Sequence, residues 1–358
     1  MTPRPIQVPN DPLLDPLVRR LGIWRFALVG LAWSVAVDIG AALVLRGFGV
    51  DAHYLYDDPT LRGLARAYQI LIDIGGPTTI WALYAWLRIA SGSLMDDLGR
   101  RNVFMDEPVD AEQRPREVEA LGWMRRYAWL IGLGVAGTGA FQHLVDPPGW
   151  NAASALHAQL RLAASIPLWY VMWMSVAAAS VTAAALAAAF ERYPIRIHIF
   201  HPDDHGGFGP LRRFIGTLVT YLLAISALLA AAVALATITS QISGDRLDQI
   251  LVAYVVGFLA IAPTILVAII WPAHNAMLRA RARFADSAGP LVAETALSGK
   301  ALTSADLERM QKAQRISEIV QAFPVWPFNP GRLRRAIVGI LSPLFIGVLL
   351  DFVLRRLR

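Results

Sequence analysis

The chain has 358 residues, 56% of them hydrophobic, and a mean hydropathy of +0.46. It contains no cysteine, which excludes disulfides, thiolate metal sites and cysteine nucleophiles. The net charge of +6 does not point to nucleic acid, because the arginines flank apolar segments, the usual sign of loops on the cytoplasmic side of a membrane.

The apolar residues cluster in blocks of about 20, the length a helix needs to cross ~30 Å of hydrocarbon at ~1.5 Å per residue. Backbone groups in lipid must bond within their own segment, so the blocks are helices. Nothing alternates as barrel strands do. The pattern predicts an all-α fold: a polytopic transmembrane helical bundle of about seven spans with a small cytoplasmic helical extension.

Residues 1–23 form a Pro-rich, then weakly amphipathic, N-terminal segment. Leu13, Leu14, Leu17, Val18 and Leu21 follow helical spacing beside Arg19 and Arg20. The segment is either a helix lying on the membrane surface or a plain lead-in to the first span. The first apolar run is too long for a signal-peptide core, so it stays as an anchor.

The first six spans are expected at about 24–45, 69–89, 127–145, 163–189, 214–239 and 250–271, with Trp24, Tyr68, Trp86, Tyr127 and Trp271 at their edges. Two carboxylates fall inside them. Asp38 lies in the first span, and Asp73 lies near the start of the second, just before Gly75-Gly76-Pro77. Counted from the outer ends they sit roughly 10 Å and 6 Å deep. Intramembrane charge is costly and points to a path or a relay. The glycine-proline break would free carbonyls beside them. The plainer alternative is a bond to a neighbouring helix or an interfacial position.

Gly132, Gly134 and Gly137 spell a GxGxxG inside the third span, where a dinucleotide fingerprint has no strand to follow. Small residues there, like the Ala-rich stretch 177–189, let helices approach closely. His143 and Arg161 lie near outer span ends and read as interfacial.

Between spans four and five lies the densest polar run. His198, His201, Asp203 and His205 form a candidate metal set, but their spacing matches no standard zinc motif. Pro202, Gly206 and Gly207 give the run turn chemistry, so a structured turn docked under the membrane core is the competing reading.

Beyond span six, residues 272–335 are the largest extramembrane piece. The sixth helix continues as a polar helix over His274–Arg283, and Gly289 and Pro290 mark a loop. Thr303-Ser304-Ala305-Asp306 resembles a capping box opening a helix to about Ala322. Pro324, Trp326 and Pro327 lie in a connector that cannot be helical interior. A seventh span at 336–354 follows, and Ser342, Pro343 and Asp351 would lie along a path there.

Lys and Arg counts orient the chain. The N-terminal tail, the loop from Arg88 to Arg126, the 190–213 loop and 272–335 carry four, seven, four and ten; the intervening loops carry three, one and one. The rich side is cytoplasmic, so the N-terminus is inside. Seven spans then put the C-terminus outside, although Arg355, Arg356 and Arg358 end the chain.

No HExxH, GxSxG or P-loop lysine motif is present, and Asp57-Asp58-Pro59 reads as an exposed turn, so no enzyme activity is expected.

His201-Pro202-Asp203 with Gly206-Gly207, and Pro324-Val325-Trp326-Pro327-Phe328, resemble an uncharacterised family of bacterial multi-spanning membrane proteins, with patterns near HPD-x-x-GGL and PVWPF. Phe208 replaces the leucine, and the family has no histidine at the position of His205, which counts against a metal. The resemblance covers about 198–330 and implies no activity. In layout alone the chain is similar to the insect odorant-receptor type of seven-helix ion channel. That layout implies an oligomeric anchor at 272–322 and a pore helix at 336–354.

The chain therefore divides into 1–23, a six-helix region 24–271, the cytoplasmic region 272–335 and a final span with its tail, 336–358. The expected protein is a multi-pass bacterial inner-membrane channel or transporter for ions or small solutes. It is homo-oligomeric, cofactor-free and does not bind nucleic acid. The alternative is a scaffold, sensor or assembly partner acting through its cytoplasmic loops.

Overall fold

A computed structural model describes residues 11–47, 67, 70–104, 122, 126–134, 136–137, 152–196, 206–243 and 248–297, with helical positions scattered over 304–318 and 331–342. Among the described residues the secondary structure is helical apart from turns and one isolated β-bridge. The principal helices are α1 (Asp15–Gly47), α2 (Gly76–Arg100), α3 (Ala152–Arg192), α4 (Gly209–Ser243) and α5 (Asp248–Leu297). A π-turn, Leu71–Gly75, leads directly into α2.

Among the described residues four segments are long and apolar enough to cross a membrane: Asp15–Val37, Ile166–Glu191, Gly209–Ala234 and Val255–Arg283. They belong to α1, α3, α4 and α5. The seven expected spans thus reduce to four that the described residues support; the second, expected at about 69–89, falls on the π-turn and α2, which are described but are not among the four. Of the third and seventh, only 126–134, 136–137 and 337–342 are described, all helical.

The less apolar α2 packs against α1, α3 and α4, while α5 packs against α3 and α4. Hydroxyls in these helices return to their own backbone four residues earlier, as for Ser34, Ser175, Thr182 and Thr264. That is the way a helix hides a polar group where water is absent.

α1 is two helical pieces in one. Gly22, at φ 70° and ψ −178°, breaks it in a region of backbone space open essentially only to glycine. The break folds the chain back on itself. Asp11 bonds to Tyr84, and Phe26 lies 6.0 Å from the same ring, centroid to centroid. A straight helix would separate those two positions by about 22 Å. Leu14 and Leu21 lean on the core and Val18 is buried, whereas Leu13 and Leu17 stay exposed. The N-terminal segment is therefore packed onto the bundle as a second layer over α2.

The second span differs from expectation in two ways. The Gly75-Gly76-Pro77 sequence does not break the chain. Helical geometry runs on through the π-turn, where the Gly76 amide donates to the Leu71 carbonyl and the Thr78 hydroxyl donates to that of Ile74 at 2.8 Å. Two of the carbonyls beside the break, those of Leu71 and Ile74, are thus taken up. α2 also extends well past residue 89, so Arg88, counted above as the start of a loop, is a buried residue inside a helix.

α2 ends in a Schellman motif. Asn102 takes φ 51°, its amide donates to Gly99 at 2.9 Å, and the Val103 amide donates to Leu98 at 3.2 Å. The chain then pairs Phe104 with Ile195 just after α3, and the Arg196 amide donates to Val103 at 2.8 Å. Gly206 and Gly207, at φ 65° and 97°, deliver Phe208 into the same place before α4. Phe208 stacks on Phe190 at 6.0 Å, and Phe190 meets Phe104 at 5.6 Å. Arg279 of α5 donates to the Phe190 carbonyl at 3.0 Å. One end of the bundle is thus closed by an aromatic floor with arginines around it.

α5 continues well beyond Arg283. The loop expected at Gly289 and Pro290 is absent, because the helix runs through both to Leu297. Residues 304, 308, 311, 312, 314, 315 and 318 are helical, as the capping-box reading expected for that stretch, and they are exposed.

Candidate functional site

The densest buried polar constellation in the described structure is none of the sets anticipated from sequence. It begins with Asp11-Pro12 at the head of the folded-back segment. Asp11 Oδ1 accepts the amides of Leu13 at 3.1 Å and Leu14 at 3.0 Å, and its carbonyl accepts the Asp15 amide at 3.1 Å. This is N-cap chemistry with proline in the first turn, where no N–H is needed. The Asp11 amide answers to Asp15 Oδ2 at 3.4 Å.

α2 supplies the receiving side. Tyr84 and Arg88, four residues apart, share a helix face. The Tyr84 hydroxyl donates to Asp11 Oδ2. Tyr170 of α3 donates to Asp11 Oδ1 at 2.8 Å. Arg88 grips Asp15 with both arms of its fork, Nε to Oδ1 at 3.0 Å and Nη2 to Oδ2. The guanidinium carbon lies 5.9 Å from the centre of the Tyr84 ring. Asp11 is wholly buried, and the side chains of Arg88 and Asp15 are only 5% and 17% exposed. Phe26, stacked on Trp81 at 5.0 Å and leaning on Tyr84, covers one side.

Two carboxylates thus face one guanidinium. The helix start at residues 11–15 offsets part of the surplus negative charge, since its unpaired amides carry a partial positive charge. The hydrogen bonds do more. Asp11 takes two backbone amides and two phenol hydroxyls, which replace the water it has lost. Bidentate arginine–carboxylate geometry is the strong form of this contact. One turn further along α2 lies Ser91, wholly buried, whose hydroxyl has no hydrogen-bond partner among the described residues.

The anticipated residues stand as follows. Asp38 lies in α1 and Asp73 in the π-turn, and these two elements pack against each other. Their side chains are outside the described set. Ser342 is described, and its hydroxyl donates to the Val338 carbonyl at 2.6 Å. Pro343 and Asp351 lie outside the described residues, as do His198, His201, Pro202, Asp203, His205, Pro324, Trp326 and Pro327. Gly206 and Gly207 are buried and shape the turn into α4. No group of three or more metal-ligating side chains occurs among the described residues. Of the glycine triplet only Gly132 is pressed by a neighbour, with Trp173 and Tyr170 over it; Gly134 and Gly137 face open space.

Asp11, Asp15, Tyr84, Arg88, Ser91 and Tyr170 were not singled out from sequence. The available signal was the pair Tyr84 and Arg88 at one-turn spacing at the end of an apolar run. Comparison with family models, with curated proteins and with solved structures returns no match.

Proposed function

We propose that this is a multi-pass protein of a bacterial plasma membrane that moves ions or small solutes through its helical bundle, with its N-terminus in the cytoplasm and several copies per particle. The observation that carries the reading is the Asp11–Asp15–Tyr84–Arg88–Tyr170 cluster between α1, α2 and α3. Charge buried in a helical bundle is expensive, and in membrane proteins such groups commonly mark a solute or ion pathway. A bundle that needed only to stand in lipid would gain as much from apolar packing at these positions.

Two further features support it. The π-turn carrying Asp73 abuts α1, which carries Asp38, and π-turns inside helices recur at functional sites. Residues 337–342 dock on α4, where Ser226 donates to the Ile340 carbonyl. Ile337 and Val338 there remain exposed, an apolar edge for lipid or for a neighbouring copy. The likeness in layout to seven-helix channels, with the last span near an axis, and the motif likeness to a multi-spanning bacterial family both belong to this proposal.

The test is flux in liposomes holding the purified protein, with Asp38→Asn, Asp73→Asn and Arg88→Gln beside the native chain. Flux lowered in variants that still fold supports the proposal. Absence of flux for every ion and solute tried defeats it.

A second reading, a scaffold or assembly partner, draws on the exposed helical positions Ser304, Glu308, Gln311, Lys312, Arg315 and Glu318. It expects charge reversal at Lys312 and Arg315 to abolish association with a partner protein while Arg88→Gln leaves that association unchanged.

A further inference from the structure

We propose that Tyr84, Arg88 and Tyr170 form a binding site for a small carboxylate, and that the N-terminal segment keeps it shut by seating its own Asp11 and Asp15 there. The inference rests on reading this cluster as the functional site, and it adds the ligand class and the means of control.

The receptor side is built for a carboxylate. A guanidinium fork matches the two oxygens of one carboxylate. Two phenol hydroxyls from different helices, Tyr84 on α2 and Tyr170 on α3, converge on the oxygens of another. All the groups on this side are donors toward the site, and they stand on long packed helices. The occupying side is different in kind. Asp11 and Asp15 sit on a short segment joined to the rest of α1 through Gly22. Leu13 and Leu17 of that segment are exposed, so only part of it is held by the core. A hinged arm bearing two carboxylates, seated among donors that stand on long packed helices, is the arrangement of a tethered competitor.

Ser91 is the independent observation. Its hydroxyl is fully buried and unpartnered. Seven residues from Tyr84 at about 100° each brings it to within roughly 20° of the Tyr84 direction, and it lies ~4.5 Å beyond Arg88 along the helix. The stripe that presents Tyr84 and Arg88 thus ends in a hydrogen-bonding group that the arm does not use. A free ligand with a second polar group would use it. Buried polar groups left unpaired in a native protein ask for such an explanation.

The competition has a quantitative consequence. While the arm is seated, a free carboxylate meets only the small fraction of molecules in which it has swung out, and its apparent affinity falls by that fraction. Loss of one resident carboxylate raises the fraction and tightens apparent binding without adding a contact.

The chain has no native cysteine, so two nitroxide labels can be placed cleanly on Leu13→Cys and Ile89→Cys, both at exposed positions. The full-length labelled protein in nanodiscs is titrated with sodium acetate and sodium succinate, against sodium chloride at matched ionic strength. The label-to-label distance is read by pulsed electron resonance. The expected result is a second, longer distance that grows with carboxylate and not with chloride. Asp15→Asn should lower the half-saturating concentration by about tenfold or more, Ser91→Ala should raise it for succinate, and Arg88→Gln should remove the response. If Asp15→Asn does not fold, the native titration and Ser91→Ala still decide the matter. An unchanged distance at saturating carboxylate, or an equal response to chloride, overturns the proposal and leaves the cluster as a structural clamp. Liposome flux separates this from the transport reading. Flux indifferent to carboxylate, with an immobile arm, sinks the arm and keeps transport. Arm displacement without any flux keeps the site and sinks transport.

Discussion

Arg88 is the residue on which the polar cluster turns. Replacing it with glutamine keeps most of the volume but leaves Asp15 facing a neutral amide in a buried place. Breaking a buried pair by removing one partner costs about 3 kcal/mol or more. Arg88→Gln should therefore lower the unfolding midpoint in detergent clearly, and adding Asp15→Asn to it should restore part of the loss, which a two-by-two set of melts would read. Gly22 makes a different point. A Cβ there meets nothing within 4 Å, so any cost of Gly22→Ala is backbone strain alone, about 1–3 kcal/mol. The expected readout is faster cleavage by added protease within residues 11–21, with the rest of the molecule protected as before. Neither residue stood out in the sequence. Asp11 bonds to partners 73 and 159 positions away, and hydropathy and motif reading are blind to pairings at that range. Asp38 and Asp73 drew attention because they interrupt apolar runs. Asp11 and Asp15 precede one and looked like ordinary pre-helix polarity.

The helices themselves were far more legible, because length and apolar content are local properties. α1, α3, α4 and α5 were expected close to where they lie, and the Ala-rich stretch of α3 does pack tightly, with Ala177, Ala178, Ala179 and Ala183 buried. What sequence reading missed were continuations. α5 passes through Gly289 and Pro290, and the π-turn runs on into α2 through Gly75-Gly76-Pro77. The glycines of the third segment give a paired test at this level. A Cβ on Gly132 would lie 2.6 Å from a ring carbon of Trp173, whose indole N–H is already committed to the Ala128 carbonyl at 3.1 Å. Gly132→Ala should destabilise by about 1–3 kcal/mol through overpacking. Gly134→Ala, facing open space, should be neutral or stabilising by up to about 1 kcal/mol through helix propensity. Unfolding titrations of the two variants in one detergent would show whether the contrast holds. Phe208 offers a third probe. It is fully buried in the aromatic floor, and Phe208→Ala should cost about 3–5 kcal/mol, seen as loss of folded yield on size exclusion.

For the whole molecule, the class was readable from apolar block length and the contents of the site were not. Particle mass is the first quantity to fix. Native mass spectrometry from nanodiscs should return a multiple of the 39.1 kDa chain, and an image average with Ile337 and Val338 near a symmetry axis would favour a shared path over one path per chain. A mass of one chain would instead make any route run within a single bundle, past α2. The length of α5 bears on the same images. Its 50 residues follow a path of about 75 Å, while hydrocarbon takes up only ~30 Å. With its apolar stretch starting near Val255 and spent by Arg283, most of the surplus helix lies on the Leu297 side of that stretch. A rod of that length standing off one membrane surface would show in the same images, and the face it leaves would give a direct, label-free way to tell which way the particle was inserted.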